Sequence, residues 1–332
     1  MKKVLIIDSR PYGLFSIFLH TLDCLKWCEE NDYLPYIRWN SGRIDTNLYR
    51  KGARQAVITN NPNLIEDKNN FVSKNSLINN TKPCLYAEHP EDNVWNYYFE
   101  PVEVENFLQF KPHFDIADIF MCGKLDFDLN NKFLIKNLHT YDSLKLWSID
   151  DKQSINNHRL EVSKTINKYV KVKEAVRYKV DKFYSNKFKD LELCIGVHVR
   201  GTDKKTEYPF KQLTINHYID EIQKVINVNG GKKYKIYIAS DNNEAIIKIA
   251  NHFGKENIIC YASTRMNSYS SSIPIHLSST IQHKKHGEET LIEMLLLSKC
   301  DYIIGTDSNF TATACYFNPN AELVYLNRKN GV

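Results

Sequence analysis

Residues 194–207 place a group of charged side chains directly behind an apolar run. The run, residues 194–199, is interrupted only by His198, and it predicts a strand buried on both faces, as in a parallel sheet. Five charged residues follow it: Arg200, Asp203, Lys204, Lys205 and Glu207. Ligands of open parallel sheets bind at the carboxyl ends of the strands, so this pattern indicates a binding site. The alternative interpretation is a solvated loop that carries its usual charges.

Two of the three cationic residues that follow this strand, Arg200 and Lys204, have the chemistry of a phosphate site. Arg200 can hold phosphate oxygens with its planar fork of N–H groups, and Lys204 can act on them as a point charge. The formal net charge of the chain is +5 and is spread along its length. That charge suits an anionic small ligand, and it is too mild and too dispersed to indicate nucleic acid.

Two more predicted strands end in polar residues. Residues 234–239 lead into Ser240 and Asp241, and residues 302–305 lead into Thr306, Asp307, Ser308 and Asn309. Because the carboxyl ends of parallel strands lie on one rim, these segments and the first one are expected to converge. A helix predicted over 310–317 would aim its first N–H groups at a phosphate, and Asp241 could accept hydrogen bonds from a base or ribose. Neither the P-loop nor the GxGxxG pattern occurs, so we predict a nucleotide diphosphate, or a similar dianion, in another kind of site.

The elements that must position these residues alternate between strand and helix. Residues 190–332 predict a parallel sheet with crossover helices. At the other end of the chain, a strand over 4–7, a loop and a helix over 14–30 predict the first unit of a doubly wound domain. Asp8 ends that strand, where it could face a cleft or could equally be a helix-capping or loop carboxylate. A Lys-rich helix over 156–190 is expected to join two domains, residues 1–189 and 190–332.

The middle of the chain carries weaker patterns. Residues 40–112 are loop-rich, and the aromatic cluster at 95–99 favours a core over a wall that stacks sugars. Asp126 and Asp128 form an Asp-x-Asp pair, which holds a metal in some sugar-transferring enzymes. No buried strand leads into that pair, so we discount it.

Composition indicates the compartment. The eight cysteines include no Cys-x-x-Cys pair and several lie in apolar runs, which predicts small buried hydrophobes in a reducing compartment rather than a metal site. The amino terminus lacks the apolar core of a secretion signal, and no apolar run is long enough for a membrane span. We therefore expect a soluble, cytoplasmic protein of two domains with no metal.

The three strand-end motifs resemble, in order, the three signatures of the α-1,6-fucosyltransferases and the bacterial nodulation fucosyltransferase. Residues 196–207 are similar to the first signature, residues 236–241 to the second and residues 291–308 to the third. Some positions depart from the family's pattern. Gly201 and Asn242 stand where the family has a second Arg and a second Asp, and Phe310 replaces a Gln.

The resemblance implies a GT-B architecture, an α/β fold in which two doubly wound, Rossmann-like domains face a cleft and the carboxyl-terminal one holds the donor. It implies inverting, metal-independent transfer of fucose from GDP-fucose to a glycan hydroxyl, with no cofactor. By the match, Lys204 and Glu207 would lie near the reacting centre. The donor-binding residues would be His198, Arg200, Asp203, Asp241, Glu293, Thr306, Asp307, Ser308 and Asn309.

Such a transfer needs a base and a group that stabilises the leaving diphosphate. Glu207 is the first candidate for the carboxylate that takes the hydroxyl proton, and Asp8 is the second. Arg200 and Lys204 would stabilise the charge that grows on the diphosphate. Two alternatives stay open: a GT-B enzyme that uses another nucleotide sugar, and a non-catalytic protein that binds a nucleotide sugar or a glycan.

Overall fold

The computed structural model describes residues 3–8, 13–39, 86–89, 92–102, 119–122, 146–200, 213–266 and 282–326. By compactness the chain divides into two units: Met1–Lys145 with Thr165–Lys173, and Leu146–Lys164 with Glu174–Val332. Each unit contains a parallel sheet of its own. The predicted boundary near residue 190 falls inside the second unit. The assignment of an acceptor side and a donor side to the two parts of the chain stays a prediction.

The first unit contains a three-stranded sheet in the order β2-β1-β3. The strand and the helix predicted over residues 4–7 and 14–30 are confirmed, and a second strand follows the helix. Helix α1 is buried over most of its length. It ends at Asn31, because the next residue, Asp32, has a left-handed φ of 57°. The described elements are β1 (Lys3–Asp8), α1 (Leu14–Asn31), β2 (Tyr33–Arg38), α2 (Trp95–Tyr98) and β3 (Ile119–Cys122).

The aromatic cluster at 95–99 forms the core of this unit. Trp95 and Phe99 are buried, and their ring centroids lie 4.4 Å apart. Phe18 of α1 packs against Phe99 at 5.4 Å, and Trp39 meets Trp95 edge-on at 5.1 Å. The core interpretation is therefore confirmed for these rings.

The predicted single helix over 156–190 is wrong, because the structure has two helices there. They are α3 (Lys152–Tyr169) and α4 (Glu174–Lys187). Between them the Glu100 N–H donates to the carbonyl of Lys171 (2.8 Å), and the Lys173 N–H donates to the carbonyl of Tyr98 (2.9 Å). These bonds to a distant segment hold the connection extended, which helical periodicity within residues 156–190 could not reveal.

The second unit contains a five-stranded parallel sheet in the order β6-β5-β4-β7-β8. The predicted strands and crossover helices are confirmed, and β8 is an additional strand. The described elements are β4 (Leu193–Val199), α5 (Ile215–Val228), β5 (Tyr234–Ser240), α6 (Asn243–Phe253), a 3₁₀ turn (Lys255–Asn257), β6 (Ile258–Ile259), α7 (His283–Leu297), β7 (Tyr302–Gly305), α8 (Asn309–Phe317) and β8 (Glu322–Tyr325).

Strand β4 is the middle strand of this sheet and is buried along its whole length. Its residues Ile195, Val197 and Val199 belong to the apolar cluster formed with α5 and α6. Side chains alternate between faces along a strand, so Gly196 and His198 lie on the opposite face. At Gly196 a Cβ atom would come within 2.6 Å of Leu297 Cδ1, which shows how closely α7 packs there. Helices therefore cover both faces of β4, and only the residues at its carboxyl end can contact a ligand.

Candidate functional site

The three polar segments start from neighbouring strand ends. Strand β4 pairs with β5 on one side, with Val199 opposite Ser240, and with β7 on the other, with Val197 opposite Ile304. Arg200, Asp241 and Thr306 are the residues that follow these three strands. The structure thus brings the three segments together at one edge of the sheet. Their contacts with a donor stay a prediction.

His198 is held by the helix that follows β7. It is buried, and its Nδ1 atom lies 2.8 Å from the hydroxyl of Thr311 in α8. The imidazole stacks on the ring of Phe310, with centroids 4.3 Å apart and planes inclined by 18°. Arg200, two residues further along, is half-buried. Sequence patterns alone could not show that Phe310 and Thr311 contact His198, because both lie on a helix more than one hundred residues away.

Ser308 begins α8 as its N-cap. Its side-chain oxygen accepts a hydrogen bond from the Phe310 N–H (3.2 Å), and its extended backbone lets the helix start at Asn309. Thr306 and Ser308 are buried and Asp307 is half-buried. The positive end of the α8 dipole therefore lies beside the end of β4, where Arg200 adds a full positive charge. This arrangement favours an anion.

Asp241 lies at the end of β5 against a second segment, residues 261–266. The Met266 N–H donates to the carbonyl of Asp241 (2.9 Å), and the Asn243 N–H donates to the carbonyl of Met266 (3.1 Å). Asn242, between them, caps α6 by accepting from the N–H groups of Glu244 (2.7 Å) and Ala245 (3.3 Å). The capping role explains why Asn242 can stand where the resembling signature has Asp, since Asn and Asp cap helices about equally well.

Glu293 forms a buried ion pair with Arg265, a residue that no sequence pattern singled out. Both side chains are less than one-tenth exposed. Arg265 also donates to the carbonyls of Ser240 (3.0 Å) and Tyr261 (2.7 Å). Burial raises the pKa of Glu293 to about 7, and the Arg265 guanidinium opposes that shift. In the structure Glu293 is paired with Arg265, and a contact between Glu293 and the donor stays a prediction.

Several predicted residues lie outside this part of the structure. Asp203, Lys204 and Glu207 lie outside the described residues, as do Asp126 and Asp128. Asp8 is the last residue of β1 in the first unit, where its backbone pairs with Arg38.

The described residues contain neither a metal-binding cluster nor a membrane-spanning helix. No cluster of three or more His, Cys, Asp or Glu side chains there has a geometry that could hold a metal ion. No helix among the same residues has the length and apolar character needed to cross a bilayer.

The fold is GT-B-like, and it is shared with structures of the α-1,6-fucosyltransferase NodZ. NodZ crystallised with GDP has a TM-score of 0.54 at 15% identity, with 98% of this chain and 96% of that chain covered. NodZ soaked with GDP-fucose has a TM-score of 0.55 at 16% identity, with 99% and 97% covered. The selenomethionine form of NodZ from Bradyrhizobium has a TM-score of 0.53 at 15% identity, with 99% and 96% covered.

At these identities the likeness is one of fold, and it supports the resemblance at that level. No model of a protein family matches the chain, and no curated protein sequence matches it either.

Proposed function

We propose that this protein is an inverting, metal-independent glycosyltransferase that transfers fucose from GDP-fucose to a glycan hydroxyl. One observation carries the proposal: the ends of β4, β5 and β7 are adjacent, so His198, Arg200, Asp241 and Ser308 meet at one edge of a parallel sheet. The fold likeness to NodZ structures holding GDP and GDP-fucose supports it. Ligand sites of such sheets lie at this edge.

The residues suggest how the reaction would proceed. The acceptor hydroxyl attacks the anomeric carbon of fucose, the bond from that carbon to the diphosphate breaks, and GDP leaves. Negative charge grows on the diphosphate, where Arg200, Lys204 and the start of α8 stabilise it. A carboxylate takes the hydroxyl proton, and Glu207 is the first candidate, with Asp8 the second.

A cytoplasmic location and a glycan acceptor belong to the same proposal. The thiols of Cys194 and Cys300 lie 3.5 Å apart, both buried and both free. Two thiols that lie this close without forming a disulfide suit a reducing compartment.

EDTA should leave the rate of fucose transfer unchanged, since the chemistry assigned to the residues of the site needs no metal.

Replacement of Arg200 tests the proposal. Arg200→Ala should lower the rate of fucose transfer about 100-fold or more, because it removes a charge that acts on the leaving diphosphate. Arg177→Ala, at an exposed position on α4, is the matched control and should retain full activity. Near-complete activity in Arg200→Ala would contradict the role of Arg200 in stabilising the leaving diphosphate. If a donor panel shows turnover with another nucleotide sugar and none with GDP-fucose, the donor assignment is wrong. If the protein binds GDP but turns over no donor, it is a non-catalytic binding protein.

A further inference from the structure

Arg265 joins three separate parts of the second unit. Its Nε atom donates to the carbonyl of Ser240, the last residue of β5 (3.0 Å). Its Nη1 and Nη2 atoms donate to the carbonyls of Ser263 (3.1 Å) and Tyr261 (2.7 Å), and Nη2 also donates to the carboxylate of Glu293 on α7. A guanidinium presents its N–H groups in a fixed planar fork, so these bonds hold a strand end, a loop and a helix in one arrangement.

The backbone on either side of Arg265 is fixed as well. The Met266 N–H donates to the carbonyl of Asp241, the residue that follows β5 (2.9 Å). The Thr264 N–H donates to the carboxylate of Glu289 on α7 (2.8 Å). The loop around Arg265 is therefore bound from two sides, by the end of β5 and by α7.

The end of β5 is next to the proposed diphosphate site. Ser240 lies opposite Val199 of β4, and Arg200 is the residue that follows Val199. Helix α8 follows β7, which is the neighbour of β4 on its other side. A diphosphate held by Arg200 and by the start of α8 thus leaves the end of β5 as the adjoining edge for the nucleoside.

We propose that Arg265 is a positioning residue that makes the nucleotide site selective for guanine, by fixing the end of β5 and the segment 261–266 beside the base. The inference rests on the proposed function. Selection between bases depends on hydrogen-bonding groups held in fixed positions, because the wrong base leaves them unpaired. A second explanation is that Arg265 only stabilises the fold, in which case all nucleotides would be affected alike.

Two substitutions of arginine by lysine separate these explanations. Arg265→Lys keeps a positive charge beside Glu293, but its ammonium group cannot reproduce the planar fork of N–H groups. Arg159→Lys is the matched control, because Arg159 is also buried and donates to the carbonyls of Asn318 (3.0 Å) and Ala321 (2.7 Å). Those carbonyls follow the last residue of α8, at the opposite end of that helix from the proposed diphosphate site.

The experiment is calorimetric titration of each protein with GDP and with UDP, with thermal melting as the measure of folding. In wild type, GDP should bind at least about tenfold more tightly than UDP. In Arg265→Lys this ratio should fall below about threefold, because the groups that face guanine are no longer held in place. The affinity of Arg265→Lys for UDP should stay within about twofold of wild type. Arg159→Lys should keep the wild-type ratio even if it melts at a lower temperature.

An unchanged ratio in Arg265→Lys, or an equal fall in Arg159→Lys, would overturn the inference and leave the proposed function intact. Failure of wild type to prefer GDP would overturn the proposed function, and the inference with it. If Arg265→Lys does not fold, hydrogen exchange of wild type gives a second test. At saturation, GDP should protect the peptide that contains Arg265 more than UDP does, and equal protection by the two nucleotides would contradict the inference.

Discussion

The pairing of Glu293 with Arg265 gives both side chains a partner within the protein. Arg265 joins Glu293 on α7 to the end of β5 and to the segment 261–266, which lies beside Asp241. A buried charge is expensive unless it is paired, so removing either partner alone should be costly. Under the proposed function, Glu293 would help to hold the backbone beside Asp241 in place through Arg265, without contacting the nucleotide itself.

Replacing Glu293 with Gln should change how stability depends on pH. The pKa of Glu293 is about 7 in the folded protein, against an ordinary value of 4.5, because burial disfavours the charged form. Between those pH values the folded protein binds a proton that the unfolded chain has released. The contribution of Glu293 to the free energy of unfolding therefore falls by about 3 kcal/mol as pH rises from 4.5 through 7.

Urea unfolding of wild type and Glu293→Gln at pH 5 and pH 8 measures this contribution. Between pH 5 and pH 8 the free energy of unfolding of wild type should fall relative to that of Glu293→Gln, because Glu293 loses its proton over this range and Gln does not titrate. A difference that is the same at both pH values would show that Glu293 has an ordinary pKa.

Asn242 should contribute to stability through its cap on α6. Its side-chain oxygen accepts from two N–H groups at the start of the helix. Asn242→Ala should lower the free energy of unfolding by about 1 kcal/mol, whereas Asn242→Ser, which keeps a capping oxygen, should lower it by less. Chemical denaturation of both variants checks this, and equal losses would contradict a capping role.

At the scale of elements, the prediction succeeded where a strand or helix is specified by its own residues. Strands β4, β5 and β7 are mostly apolar runs with polar residues after them, because both faces of the sheet are covered. The polar strand ends of the candidate site could therefore be located from sequence.

The prediction failed where contacts between distant segments decide the structure. The extended link between α3 and α4 depends on hydrogen bonds to residues 98–100, and a helical pattern cannot show them. In the same way, Arg265 lies in a segment with no periodicity, and the partners of His198 are supplied by the packing of α8. These residues could be identified only once the sheet order was known.

The close packing of α7 on β4 should make Gly196 intolerant of a side chain. A Cβ atom there would come within 2.6 Å of Leu297 Cδ1 and 2.9 Å of Cys300 Sγ. Gly196→Ala should lower the free energy of unfolding by about 1–3 kcal/mol, as expected for an overpacked core.

Gly230→Ala is the control for this substitution, measured by the same denaturation. Gly230 is exposed, and the nearest atom to an added Cβ would be the Asn227 carbonyl oxygen at an ordinary 3.5 Å. Its effect should be within about 0.5 kcal/mol. A Gly196→Ala variant as stable as Gly230→Ala would show that α7 can shift away from the sheet.

At the scale of the whole molecule, a ligand at the strand ends should stabilise the folded chain. GDP at one hundred times its dissociation constant should raise the free energy of unfolding by about 2.7 kcal/mol. Hydrogen exchange with and without GDP should show added protection in peptides that contain Arg200, Asp241 and Asn309. Protection that appears elsewhere, with none at these three positions, would contradict a site at this edge of the sheet.

The preference for one nucleotide base is the sharpest test of a GDP site at the ends of β4, β5 and β7. Calorimetric titration of wild-type protein with GDP, UDP and CMP compares the three bases under the same conditions. We expect GDP to bind at least about tenfold more tightly than UDP or CMP, a difference of about 1.4 kcal/mol. Tighter binding of UDP or CMP, or no binding of any of the three, would contradict it.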